Sequence, residues 1–278
     1  MWGLLAAYFG SEWTFGRTGL NFISSSSMST HPRVCYRVLG PLSVSVGSME
    51  ISIPTRRARG VLSCLLLEPG RFVRLSSLVG ALYGFEPIKS AINQVHRGVS
   101  ELRKLSVPIS SGQKSFRLDA LAESIDCYRF RHQIELASTA VAGSDLDAGK
   151  AMYRRALELW RGPAFEGLAG PTFESAARYW GELRVTAEQA YFDVELKLGC
   201  FKEILPRLAI LNMKHPRNEI FLGQLMLSLY RSGRATEALE AYSKHAKDLA
   251  EELGVTPGPA LSSLQVQMLQ QDPTLLPE

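Results

Sequence analysis

The chain has 278 residues, of which 46% are apolar and 21% charged. That balance excludes bulk disorder, and the length suits two domains better than one. The net charge of +4 is unevenly spread: residues 33–121 carry 13 Lys/Arg against 5 Asp/Glu, and residues 122–278 carry 17 against 21. A basic front half asks for an anionic partner, and duplex DNA leads because Lys and Arg neutralise phosphates and release counterions.

The first 27 residues lack the basic opening of a signal peptide, and Glu12 interrupts any apolar stretch. A serine run, Ser24–Ser27, then precedes Met28. Residues 1–32 are therefore expected to be disordered or a mis-called extension, with Met28 as the natural start. Residues 34–53 alternate apolar and polar, with breaks at Gly40-Pro41 and Gly47-Ser48. The pattern predicts a three-stranded meander.

Thr55 is a candidate N-cap for a helix whose apolar face is Val61, Leu62, Leu65 and Leu66, ended by Pro69-Gly70. A short extended piece at Phe72–Val73 leads to a second helix over Ser76–Tyr83, stopped by Gly84. Pro87 opens a third helix running to about Leu105, with Ala91, Val95, Val99 and Leu102 as its inward stripe. A hairpin follows over Ile109–Leu118, with Gly112 expected at the turn.

From Asp126 onward the pattern is helical, with helices predicted near 126–141, 145–160, 172–198, 201–214, 217–231, 234–253 and 258–270. Gly199 and Gly233 lie 34 residues apart in similar contexts, the tetratricopeptide period. The expected architecture is thus an α+β N-terminal winged helix-turn-helix followed by an all-α, TPR-like helical domain. Its bounds are 33–121 for DNA binding, 122–272 for the helical domain and 273–278 for a C-terminal tail. Residues 28–121 are expected to bind DNA without the rest, more weakly.

The third helix carries the sharpest chemistry. Asn93, Gln94, Arg97 and Ser100 lie opposite its apolar stripe, and Asn or Gln can bond adenine bidentately, and Arg guanine, from a helix in the major groove. These four are the candidate base readers. Thr55, Arg56 and Arg57 crowd a helix N-terminus, where cations oppose the helix dipole unless an anion such as a phosphate sits there. With Lys89, Arg103 and Lys104 they are the candidate backbone contacts. Lys114 and Arg117 make the hairpin basic, as a wing requires.

No enzyme signature accompanies them. His31, His96, His132, His215 and His245 show no metal spacing, and no nucleophile, zinc or dinucleotide motif occurs. No catalytic residue, metal or cofactor is expected. The cysteines Cys35, Cys64, Cys127 and Cys200 form no close pair and read as small buried hydrophobes of a reducing compartment. No apolar run is long enough to span a membrane.

Several segments in chain order carry a family resemblance: Leu39-Gly40-Pro41-Leu42 with Val44; residues 57–70, from Arg57-Ala58-Arg59-Gly60 to Pro69-Gly70; Val99-Ser100 with Leu102-Arg103; Ala156–Gly162; Leu229–Tyr242; and Glu252–Pro259. Together they resemble the Streptomyces antibiotic regulatory protein (SARP) family, which joins a response-regulator-type winged helix to a bacterial transcriptional activation domain. The similarity covers about residues 34–272. It departs at Tyr83, where the family usually has Trp, and at Gly98, where an aromatic is common; both are expected near the DNA surface.

The family's larger members add an ATPase domain. No phosphate-binding loop occurs here, so the chain is expected to match the small members, without a receiver domain. The resemblance implies a cytoplasmic, nucleoid-associated activator of a secondary-metabolite cluster. It would bind direct repeats near the −35 element, self-associate on DNA and recruit RNA polymerase holoenzyme through sigma. A helical-repeat interaction scaffold and an RNA-binding regulator are the alternatives.

Overall fold

In the computed structural model, residues 34–84 and 90–276 are described. The expectations for residues 1–32, for Lys89 and for a helix start at Pro87 fall outside them. Residues 33–278 form one compact unit.

The meander forms as expected from β1 (Val34–Arg37), β2 (Ser43–Val46) and β3 (Met49–Ile51), paired antiparallel in that order. Three helices follow: α1 (Arg56–Leu67), α2 (Leu75–Tyr83) and α3 (Ala91–Lys104). A second sheet has β4 (Val73–Arg74) at one edge and the hairpin β5 (Ile109–Gly112) and β6 (Ser115–Leu118), in the order β4-β6-β5.

The α1 cap is where the sequence puts it. Thr55 Oγ1 accepts from the Ala58 amide at 3.2 Å. Ala58 and every residue from Gly60 to Leu67 are buried, because α1 packs on α2, α3 and β6 together. In α3 the predicted stripe Ala91, Val95, Val99 and Leu102 is buried, and Gly98 joins it.

The expected hairpin turn at Gly112 is corrected by one position. Gly112 ends β5 opposite Ser115, and the two-residue turn is Gln113-Lys114, with Lys114 at φ +52°. Packing explains the glycine: a Cβ there would lie 2.6 Å from Ser115 Oγ and 3.1 Å from the Phe72 ring.

The rest of the chain is α4 (Asp126–Ala142), α5 (Leu146–Leu157), α6 (Pro171–Lys197), α7 (Phe201–Lys214), α8 (Glu219–Arg231), α9 (Ala235–Leu253) and α10 (Pro259–Leu269). Successive helices from α4 to α9 pack on each other. Gly199 and Gly233 have φ of +76° and +77°, and α7 and α9 each begin two residues after their glycine, so the sequence repeat is a geometric one. Helix α8 starts later than predicted because Asn218 is its cap, accepting from the Ile220 and Phe221 amides at 3.1 and 3.2 Å.

One expectation changes in this part. The 145–160 helix stops at Leu157: the Leu159 and Trp160 amides tighten to Ala156 O and Leu157 O, and the Arg161 amide leaves the helix for Leu39 O. Within the expected C-terminal tail, Pro273–Leu275 is a packed 3-10 turn: Leu275 is buried, and its carbonyl accepts from Arg231 at 2.7 Å.

The boundary at 121/122 is crossed by a dense seam. The buried Asp126 carboxylate accepts from the Val38 and Leu39 amides at 2.8 and 3.1 Å. The Arg161 amide donates to Leu39 O at 2.8 Å and the Phe165 amide to Val38 O at 2.7 Å. The Tyr128 hydroxyl donates to Leu67 O, the end of α1, at 2.9 Å.

Gly40 sits in this seam at φ +135°, and a Cβ on it would lie 3.0 Å from that of Arg161. Both the sign of φ and the close approach require glycine. The Gly40-Pro41 and Trp160-Arg161-Gly162 motifs, 120 residues apart, are therefore two sides of one contact. Of the cysteines, Cys64 and Cys127 are buried as expected, and burial pushes the Cys64 thiol up to about 12; Cys35 and Cys200 are only half-buried.

Candidate nucleic-acid interface

With its apolar stripe turned onto α1 and α2, α3 has one open side. Asn93, Arg97, Ser100 and Lys104 form a ridge along it, all exposed. Their side chains make no hydrogen bond or ion pair with another described residue. Arg56, at the start of α1, is exposed and likewise unpaired among the described residues. The basic residues at the end of α3, Arg103 and Lys104, also suit the negative end of its helix dipole.

Other predicted residues are committed inside the protein. The Thr55 hydroxyl and the Arg57 guanidinium both donate to the Glu101 carboxylate, in contacts spanning 46 and 44 residues. Arg57 Nη1 also reaches Gln94 Oε1 at 3.4 Å. These bonds hold the Glu101 carboxyl below its usual range, with Arg57 the largest cause. The anion expected at the α1 N-terminus thus has an internal representative. Arg57 joins α1 to α3, and Gln94 lies half-buried on the flank of the ridge rather than on it.

Arg103 is similarly occupied. Its Nε and Nη2 donate to Ile109 O at 3.0 and 2.8 Å, and Nη2 to Ser111 Oγ at 2.7 Å. It ties the end of α3 to the hairpin. His96 packs edge-on against Phe116, with ring centroids 5.5 Å apart. Between α3 and the hairpin runs a groove whose polar lining includes Ser100, Arg103, Lys104 and Lys114, with Phe116 as its apolar wall.

Lys114 stands exposed at the hairpin tip. Arg117 donates to Asp119 at 2.6 Å and lies over the Phe72 ring, 4.7 Å from its centroid. Lys114 is therefore the outward cation of the hairpin, while Arg117 stiffens it.

Gly98 is corrected. It is not on the open face: a Cβ there would lie 3.1 Å from Val61 Cγ2 and 3.3 Å from Arg57 O. It is the point where α3 passes closest to α1. Glu101 escaped the sequence reading, and Phe72, named there only as part of an extended piece, proves to pack against Arg117 and Gly112. Glu101 is the one acid within the segment from Lys89 to Lys104, a signal that could have marked it as a partner for the arginines of α1.

Among the described residues, no group of three or more His, Cys, Asp or Glu could hold a metal ion, and no helix is long and apolar enough to cross a membrane.

Comparison with known proteins gives the family of the chain. The family model "Bacterial transcriptional activator domain" matches residues 125–269. Regulatory protein AfsR of Streptomyces coelicolor is 35% identical over 243 residues, covering 86% of this chain and 24% of AfsR. Regulatory protein DnrI of Streptomyces peucetius is 31% identical over 250 residues, covering 85% of this chain and 92% of DnrI. The solved structure of Mycobacterium tuberculosis EmbR superposes with a TM-score of 0.83 at 29% identity, covering 87% of this chain and 66% of EmbR.

A β-rich front region joined to a helical activator domain defines a class of bacterial transcription regulator. Within that class, the chain belongs to the Streptomyces antibiotic regulatory protein family. It spans about a quarter of the length of AfsR and nearly all of DnrI.

Proposed function

We propose that the chain is a sequence-specific, DNA-binding transcriptional activator. In this reading α1–α3 and the β5–β6 hairpin act as a winged helix-turn-helix, and α4–α10 as a TPR-like domain that contacts protein. The observation that carries it is the ridge of Asn93, Arg97, Ser100 and Lys104. Four polar or basic side chains, unpaired with other described residues, lie along one helix face and are flanked by a basic hairpin tip. Such a face supplies donors for base edges and cations for phosphates at once.

Roles follow from which groups are available. Asn93, Arg97 and Ser100 read base edges, with Gln94 contributing from the flank. Arg56, Lys104, Lys89 and the Lys114 tip meet phosphates. Thr55, Arg57, Arg103 and Arg117 hold α1, α3 and the hairpin in register so that phosphates meet a preformed surface.

The helical domain, acidic in net charge, serves self-association on direct repeats near the −35 element and recruitment of RNA polymerase holoenzyme with its sigma subunit. The target is a secondary-metabolite gene cluster. The protein acts in the cytoplasm at the nucleoid, without catalysis, cofactor or membrane attachment.

The test is selection of bound sequences from a randomised duplex library by the full chain, followed by mobility shifts at several salt concentrations. One enriched motif, present as a direct repeat and bound with a steep salt dependence, is the expected result. No enrichment on duplex DNA would point to an interaction scaffold, and preference for single-stranded RNA to an RNA-binding regulator.

A further inference from the structure

The first turn of α3 carries an apolar side chain that the fold leaves in the open. Ile92 is 51% exposed, while Ala91, Val95, Val99 and Leu102 of the same helix are at most 2% exposed. Lone exposed apolar residues are common on any surface, so exposure by itself decides nothing. Position is what singles this one out. Ile92 precedes Asn93 at the start of the ridge and lies one turn before His96, whose ring packs edge-on against the hairpin's Phe116. On the other flank Gln94 is drawn toward Arg57. The residues that the first turn presents outward are therefore Ile92 and Asn93, and the first turn of a recognition helix is the part that meets base edges.

In the major groove a single base-pair feature is apolar, the C5 methyl of thymine. A branched aliphatic side chain beside Asn93 would bury that methyl. Against cytosine it would instead strip water from an N4 donor without offering an acceptor. We propose that Ile92 is a specificity-determining residue that packs on a thymine methyl next to the base bonded by Asn93. The inference rests on the DNA-binding reading above and adds one side chain and one chemical group to it.

Uracil tests it, because deoxyuridine differs from thymidine only by that methyl. The full chain first selects its preferred duplex from a randomised library. Each thymine of that duplex is then replaced in turn by uracil. For the wild-type protein, replacement at one position is expected to weaken binding about fourfold, the value of one buried methyl. Ile92→Ala should bind the thymine duplex more weakly by at least as much and be indifferent to uracil at that position. Ile92→Val should keep most of the sensitivity.

Melting curves of the three proteins should agree, since Ile92 is half exposed. The proposal is overturned if the wild type is indifferent to uracil everywhere, or if Ile92→Ala keeps the wild-type sensitivity. A wild type that selects no motif at all would overturn the DNA reading itself, which separates that failure from this one.

Discussion

Individual side chains on the basic face divide into those that are free and those that are engaged. Arg97 and Arg56 are unpaired among the described residues, but they sit differently, one on the ridge of α3 and one at the start of α1. Arg97→Ala should cost about 1–3 kcal/mol on the selected duplex and little on random DNA. Arg56→Ala should weaken both alike and reduce the salt slope by about one unit. Mobility shifts on the two duplexes across a salt series measure both, and equal losses for Arg97 would remove it from base reading.

Glu101 predicts a pH effect. Arg57 and Thr55 lower its folded carboxyl below the usual 4.5, so the stability it contributes is present above the unfolded value and lost as pH falls through the folded one. Acid unfolding below about pH 4.5 should be shallower in Glu101→Gln than in the wild type, as followed by circular dichroism. Gly98→Phe, which installs the side chain type common in the family, should destabilise by about 1–3 kcal/mol or more, because Val61 and the Arg57 carbonyl occupy the space.

Between elements, the decisive contact is the seam of the first sheet with α4 and the loop after α5. Asp126 is held in it by two amides of the strand-end segment Val38–Leu39. Burial raises its carboxyl pKa, while those two amides and Arg161 at 4.0 Å act the other way. Asp126→Ala leaves both amides buried without that acceptor, at a cost of about 1.5–3 kcal/mol per lost bond. A thermal scan should show a drop of many degrees. An unchanged melting temperature would mean that the seam opens freely.

The helix predictions succeed for a local reason. Ala91, Val95, Val99 and Leu102 recur at helical spacing, and Gly199 and Gly233 stop helices wherever they fall. The hairpin turn was misplaced by one residue because glycine signals either a positive φ or a lack of room. Only the Phe72 ring beside Gly112 tells which.

At the scale of the whole molecule, the basic and acidic halves are one compact unit from Arg33 to Glu278. A fragment ending at Leu121 would lose Asp126, Tyr128, Arg161 and Phe165, all of which bond the front region. Such a fragment should melt far below the full chain and bind DNA correspondingly poorly, contrary to its expected independence. Calorimetry of the fragment settles the point, and a native-like transition would restore two separable domains. For the full chain, each phosphate neutralised contributes about −0.9 to the slope of log K against log salt. The cations assigned to phosphates, Arg56, Lys89, Lys104 and Lys114, with Arg97 beside them, therefore predict a slope of about −4 per copy. On the proposed DNA-binding reading, a seam that stays closed would fix the direction in which the helical domain faces once the front region docks.

The sequence by itself determined the order of elements, the inward stripes of α1 and α3, the 34-residue repeat and the basic front half. Each depends on spacing within a few residues or on composition, and spacing survives without knowledge of the neighbours. The tertiary structure decided which cations are outward. Arg56 and Arg57 are adjacent and alike in sequence, yet one is exposed and the other is paired with Glu101, 44 positions away. It also decided that Gly98 and Gly40 are packing glycines, and that residues on either side of the 121/122 boundary share one set of buried hydrogen bonds. These outcomes depend on which distant segments approach closely enough to exclude water. A charge or an amide in a sequence has no partner until the chain has folded.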